Sequence, residues 1–170
     1  PYNDARVIAG QGTATLELLH EAGRLDVVMA PVSGGGLMSG TAIAAHGIDP
    51  TIEAWGAEPA QAADAHASLA RGARVTDMVP DTICDGLRAQ LGTLTFPILQ
   101  AHCAGIGLAS EAEILAAMRL IWERLKVVVE PSAAVPLAVV LNSRERFAGR
   151  RVGIILSGGN LDIDAVLRAA

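Results

Sequence analysis

Five short stretches combine residue types and spacings that can do chemistry. Val32-Ser33-Gly34-Gly35-Gly36-Leu37 sets three contiguous glycines where an apolar run passes into a helical pattern. Glycines let the backbone turn tightly and approach a ligand closely. The N–H groups opening the next helix then point at one anion, and a phosphate is the natural guest. No Gly-Lys-Ser/Thr follows, and the glycines are contiguous, so this is neither a P-loop nor a dinucleotide fingerprint. Leu156-Ser157-Gly158-Gly159-Asn160 repeats the junction with a hydroxyl in it; it serves equally as turn and cap chemistry. Glu58-Pro59-Ala60-Gln61-Ala62-Ala63-Asp64 offers two carboxylates and a backbone carbonyl, an all-oxygen set that suits Mg²⁺ or Ca²⁺. On spacing alone, acids decorating a helix N-terminus are the simpler reading. Glu130-Pro131-Ser132 and Asp85-Gly86-Leu87-Arg88 each read as a pocket wall or as a turn.

The elements that must position these stretches alternate in type. Strands are expected over Val27–Val32, Ile52–Ala57, Val127–Val129 and Arg151–Leu156, as short continuous apolar runs. Helices are expected over Thr13–Ala22, Leu37–His46, Ala60–Ala70, Leu94–Cys103, Ser110–Leu125, Ser132–Leu141 and Leu161–Leu167. Ser110 followed by Glu113 is a capping box, and Pro97 must fall in the first turn of its helix. Arg71–Asp85 reads as loop. This alternation predicts an α/β fold, a parallel twisted sheet with helices on both faces, in one domain over 1–170. Ligands of such sheets sit at the carboxyl ends of the strands, where the glycine stretches fall.

Composition narrows the function. Of the 170 residues 51% are hydrophobic and 18% charged, which excludes intrinsic disorder. Aromatics are only 3%, and the net charge is -5, with no basic run beyond Arg150-Arg151. A nucleic-acid partner is therefore not expected. No apolar stretch reaches the ~18 residues of a membrane span, and no signal-peptide pattern opens the chain. Cys84 and Cys103 lack metal-ligand spacing and are expected to be buried free thiols of a cytoplasmic protein. His20, His46, His66 and His102 are scattered, which points to surface or helix-end roles. The one lysine, Lys126, is expected to be a helix C-terminal cation.

Taken together, eight stretches in order resemble the C-terminal half of a fold-type II pyridoxal-phosphate enzyme of the tryptophan synthase β-like fold. The pattern is that of threonine/serine ammonia-lyases (dehydratases) and serine racemase. The stretches are Pro1-Tyr2-Asn3-Asp4, Ile8-Ala9-Gly10-Gln11-Gly12-Thr13, Ser33–Leu37, Ala57-Glu58-Pro59, Asp85-Gly86-Leu87-Arg88, Leu94-Thr95-Phe96-Pro97, Val129-Glu130-Pro131-Ser132 and Leu156–Asn160.

The resemblance implies roles. Ser33, Gly34, Gly35, Gly36 and Leu37 match the loop cradling the phosphate of pyridoxal 5'-phosphate, with Ser33 in place of the family's first glycine. Ser157 matches the partner of the pyridine nitrogen, and Gly86 a backbone position beside the ring. Glu58, the Ala62 carbonyl and Asp64 match a divalent-cation (Mg²⁺ or Ca²⁺) site. The family's Schiff-base lysine lies in an N-terminal segment with no counterpart here. The expected activity of the parent enzyme is deamination of L-threonine or L-serine to a 2-oxo acid and ammonia. Racemisation, hydroxyaspartate dehydration and non-catalytic cofactor binding are the alternatives. The chain alone is expected to be inactive. Its expected partners are a small amino-acid substrate, the missing N-terminal half or a complementing subunit, and further copies in a homo-oligomer.

Overall fold

The computed structural model describes residues 1–164. Helix α1 (Ala5–Ala22) leads into strand β1 (Val27–Pro31), helix α2 (Gly36–Ile48) and strand β2 (Glu53–Pro59). A 3₁₀ turn (Ala60–Ala62) precedes α3 (Asp64–Arg71). After a long loop come α4 (Thr95–His102), β3 (Cys103–Ala109), α5 (Glu111–Leu125), α6 (Pro131–Asn142), α7 (Arg144–Phe147) and β4 (Val152–Ile154).

Among the described residues the strands form one parallel sheet in the order β3-β2-β1-β4. All five residues of β1 are buried, as a central parallel strand covered on both faces requires. Its side chains alternate. Val27 and Met29 join Trp55 and Ala57 under α5 and α6, while Val28 and Ala30 face the layer of α1, α2 and α4. The expected α/β architecture with helices on both faces is therefore present. The chain runs from β1 through α2 to β2 on one side, and β4 returns to the other side of β1. The β1–β4 boundary is thus the switch point of the sheet, and it opens a crevice at the strands' carboxyl ends.

Local chemistry explains most boundaries. The Asp4 side chain accepts from the Arg6 N–H and caps α1, which starts eight residues before the expected Thr13. The glycines that obscure this start mark a close helix crossing: a Cβ on Gly12 would sit 2.9 Å from the Gly40 carbonyl oxygen. The Ser110–Glu113 capping box forms as expected, and Pro97 falls in the first turn of α4. The expected Ala60–Ala70 helix is split by the 3₁₀ turn.

Two expectations fail. Strand β3 begins at Cys103, where the sequence pattern predicts only the end of a helix. Its glycines reflect packing, because a Cβ on Gly105 would meet the Trp55 ring at 2.7 Å and one on Gly107 would overlap Val139. Val127–Val129 is not a strand. Lys126 ends α5 in the left-handed region (φ 59), and the three valines run on as a connection held by Trp122 Nε1 donating to the Val129 carbonyl (3.0 Å). The helix expected over Leu161–Leu167 falls partly on 165–170, outside the described residues. Among the described residues no helix is long and apolar enough to cross a membrane.

Candidate functional site

The crevice holds a cavity of about 290 Å³ lined by Ser33, Gly34, Gly35, Gly36, Leu37, Gly86 and Ser157. All seven residues assigned to a cofactor from the sequence thus meet in one place, although they span 125 positions from Ser33 to Ser157. Sequence reasoning gave no role to Tyr2 or Ala89, and none to Leu87, Glu130 and Ser132 beyond that of a pocket wall or a turn; all five line the cavity too. Nothing in the sequence pattern of Tyr2 betrays its place. A Cβ on Gly34 would overlap its ring, so the ring lies against the glycine loop.

The loop is built to leave amides free. Gly35 precedes α2 in the left-handed region (φ 88), and no side chain caps the helix. The N–H groups of the first turn have no partner inside a helix, so they are available to an anion. A Cβ on Gly35 would stand 2.8 Å from Thr95 and 2.9 Å from Leu91. Only glycine satisfies both the angle and the space.

Ser33 does not need glycine's freedom, because its φ is not positive. Its Oγ accepts from the Ala89 N–H (3.0 Å) and donates to the Ala89 carbonyl (3.1 Å). The Gly34 carbonyl accepts from Thr95 Oγ1 (2.7 Å) and the Gly92 N–H (3.2 Å). Asn3 accepts from the Leu94 N–H (2.8 Å) and donates to Thr93 Oγ1 (3.0 Å). The glycine loop is therefore pinned along one side by residues 89–95.

Ser157 also lines the cavity, and its hydroxyl makes no hydrogen bond to a described residue. Gly86 sits in a 3₁₀ turn (Asp85–Leu87), and its N–H donates to Ser132 Oγ (3.3 Å). Arg88 is structural, donating to the Thr82 carbonyl from Nη2 at 2.6 Å.

The three oxygen donors lie where β2 passes into α3. Glu58 is fully buried at the end of β2, and its two oxygens accept from the Ala65 (3.0 Å) and His66 (2.8 Å) N–H groups. Burial, with the nearby Asp64 charge adding to it, pushes its carboxyl up to about 8. Asp64 is also buried, and burial raises it too; it accepts from the Leu91 N–H (3.1 Å). No cluster of three His, Cys, Asp or Glu side chains forms a metal centre among the described residues. The divalent-cation site expected at Glu58, Ala62 and Asp64 is therefore not seen as a cluster, and both Glu58 oxygens are engaged by backbone N–H groups.

The other expected positions are peripheral. Lys126 Nζ donates to the Glu123 carbonyl (2.6 Å) at the end of α5, as a helix-terminal cation does. His20, His46 and His102 close helices, His46 and His102 with their Nδ1 atoms 3.2 Å apart. Cys84 is buried and Cys103 partly buried, and both are free.

Comparison with known proteins agrees with this geometry. Residues 1–158 match the family described as "Pyridoxal-phosphate dependent enzyme". The chain is 49% identical over 164 residues to a β-hydroxyaspartate dehydratase of Paracoccus denitrificans, covering 96% of this chain and 52% of that protein. The crystal structure of serine racemase from Dictyostelium discoideum superposes with a TM-score of 0.89 at 45% identity, over 95% of this chain and 52% of that one. That of threonine deaminase isoform 2 from Solanum lycopersicum, in its processed form, does so with 0.92 at 32%, over 99% and 48%. The chain spans about half the length of the relatives it matches. With its glycine loop and Ser157 lining one cavity, this chain belongs to the pyridoxal-phosphate dependent enzyme family.

Proposed function

We propose that this chain forms the phosphate and pyridine ends of a pyridoxal-phosphate site in an enzyme that deaminates L-threonine or L-serine to a 2-oxo acid and ammonia. One observation carries the reading: Ser33–Leu37, Gly86 and Ser157 line a single cavity at the switch point of the sheet. The free amides opening α2 bind the phosphate. Ser157 offers the ring nitrogen a neutral hydroxyl, which does not force its protonation. Gly86 lets the backbone come close to the ring. Glu58, the Ala62 carbonyl and Asp64 would hold Mg²⁺ or Ca²⁺, and Asp64 ties the Leu91 loop to this junction by accepting from its N–H. When bound, the cofactor supplies the electron sink that makes the substrate's α-proton removable.

The Schiff-base lysine must come from a segment outside residues 1–170, in the same polypeptide or in a complementing subunit. A second reading fits about as well. The 49% identity to a β-hydroxyaspartate dehydratase and the likeness to serine racemases favour hydroxyaspartate dehydration or racemisation on the same scaffold. All three activities begin by removing the α-proton.

The test is an assay of the full polypeptide as the cell makes it, with pyridoxal phosphate and Mg²⁺, on L-threonine, L-serine and 3-hydroxyaspartate. Both 2-oxo acid and D-serine are measured. The proposal expects 2-oxo acid from L-threonine or L-serine. Release from hydroxyaspartate alone, or D-serine without 2-oxo acid, transfers the assignment to the second reading. No turnover of any of them overturns both. Residues 1–170 alone are expected to release none.

A further inference from the structure

We propose that Glu130 is a positioning residue for Ser157, its carboxylate acting as the clamp that fixes the Ser157–Asn160 turn. The inference rests on the cofactor reading above and deepens it. Ser157 lies beyond the end of β4, where the last contact along the sheet is the Ile155 N–H donating to the Met29 carbonyl (2.9 Å). The turn that follows has no ladder to hold it, yet a hydroxyl that must meet one ring atom needs a fixed backbone.

Glu130 supplies that constraint from both its main chain and its side chain. Its N–H donates to the Gly158 carbonyl (3.3 Å), and its Oε2 accepts from the Asn160 N–H (3.0 Å). The carboxylate also fills the space over Gly158. A Cβ there would lie 2.6–2.7 Å from the carboxylate atoms, and Gly158 itself takes φ 113. The turn is therefore gripped at Gly158, the neighbour of Ser157, and again two residues on.

The clamp stands on a firm base. Val129 is buried, and its carbonyl accepts from Trp122 Nε1. Pro131 opens α6 and is buried. The same short segment reaches the other wall of the cavity, where Ser132 Oγ accepts from the Gly86 N–H and Glu130 Oε1 lies 3.3 Å from the position a Gly86 Cβ would take. One rigid segment thus sets the spacing between Gly86 and Ser157. In this account the carboxylate matters as a hydrogen-bond acceptor of the right length. Its charge is incidental, which separates positioning from a role as counter-ion to the ring.

The test uses the full polypeptide in three forms: wild type, Glu130→Ala and Glu130→Gln. Amide hydrogen exchange of the peptide covering residues 155–161 is read first, without cofactor. Pyridoxal phosphate affinity and the absorption spectrum of the bound cofactor are read second. Glu130→Ala is expected to speed exchange in that peptide about fivefold, the scale of one lost ordinary hydrogen bond. It is also expected to weaken cofactor binding and shift its spectrum. Glu130→Gln, which keeps an acceptor oxygen, is expected to restore both. Unchanged exchange in Glu130→Ala overturns the proposal, and so does a Glu130→Gln as loose as the alanine variant. Should Glu130→Ala not fold, Gly158→Ala displaces the carboxylate instead, and undisturbed protection of the turn then overturns the clamp. A wild type that fails to bind pyridoxal phosphate, beside a turn that Glu130→Ala still loosens, sinks the cofactor reading and leaves the clamp standing.

Discussion

At Gly35 a left-handed φ of 88 and a Cβ position 2.8 Å from Thr95 coincide, so an alanine there is strained twice. Gly35→Ala is expected to lower the unfolding free energy by about 2 kcal/mol or more. Gly47, in the last turn of α2, has open space and no positive φ; its replacement by alanine is expected to add up to about 1 kcal/mol. Urea unfolding of the two variants checks both signs, and equal shifts would refute the account of the loop. The thiols give a second residue-level prediction. Burial pushes Cys84 and Cys103 up to about 12, from 9.0 in the unfolded chain. Between those values the unfolded chain has released protons that the folded one keeps, so these thiols cost stability as pH rises from 9 toward 12. At pH 8, iodoacetamide is expected to alkylate the native thiols about 100-fold more slowly than in urea. Similar rates would show that the thiols are not buried as described.

Among the elements, those with local signals were legible and those defined by partners were not. The Ser110–Glu113 box marked α5 because its hydrogen bonds lie within four residues. Ser110→Ala is expected to cost about 1 kcal/mol, read as a drop in the urea midpoint. Strand β3 carries no such signal: Gly105 and Gly107 look like turn residues until Trp55 and Val139 occupy the space above them. Val127–Val129 has the composition of a strand, but strand identity is conferred by a neighbour, and the sheet places none beside it. The cavity was legible where glycines cluster in sequence, at Ser33–Leu37. Tyr2 and Glu130 gained their places only through contacts across the fold. The junction of β2 with α3 carries its own prediction. Mg²⁺ or Ca²⁺ is expected to raise the melting temperature of the wild type by about 2–8 °C and to leave Glu58→Gln unmoved. Equal shifts in both would remove the cation from this site.

On the scale of the whole molecule, the sheet converts distant stretches into one surface. Parallel strands send every carboxyl end to the same edge, so the loops after β1 and β4 become neighbours although they are more than a hundred residues apart. In the function proposed above, the two sides of the crevice have different work: the amides opening α2 would meet an anion, and the Ser157 hydroxyl would meet a ring. Solved relatives about twice as long superpose on this chain with TM-scores near 0.9, which shows that they share its fold. The central claim is that this half binds the cofactor through its phosphate. The measurement that tests it most directly compares pyridoxal 5'-phosphate with pyridoxal by equilibrium dialysis against the full polypeptide. The account predicts that pyridoxal binds about 100-fold more weakly, the equivalent of two hydrogen bonds to a charged group at about 1.5 kcal/mol each. Equal affinity for the two compounds would contradict it.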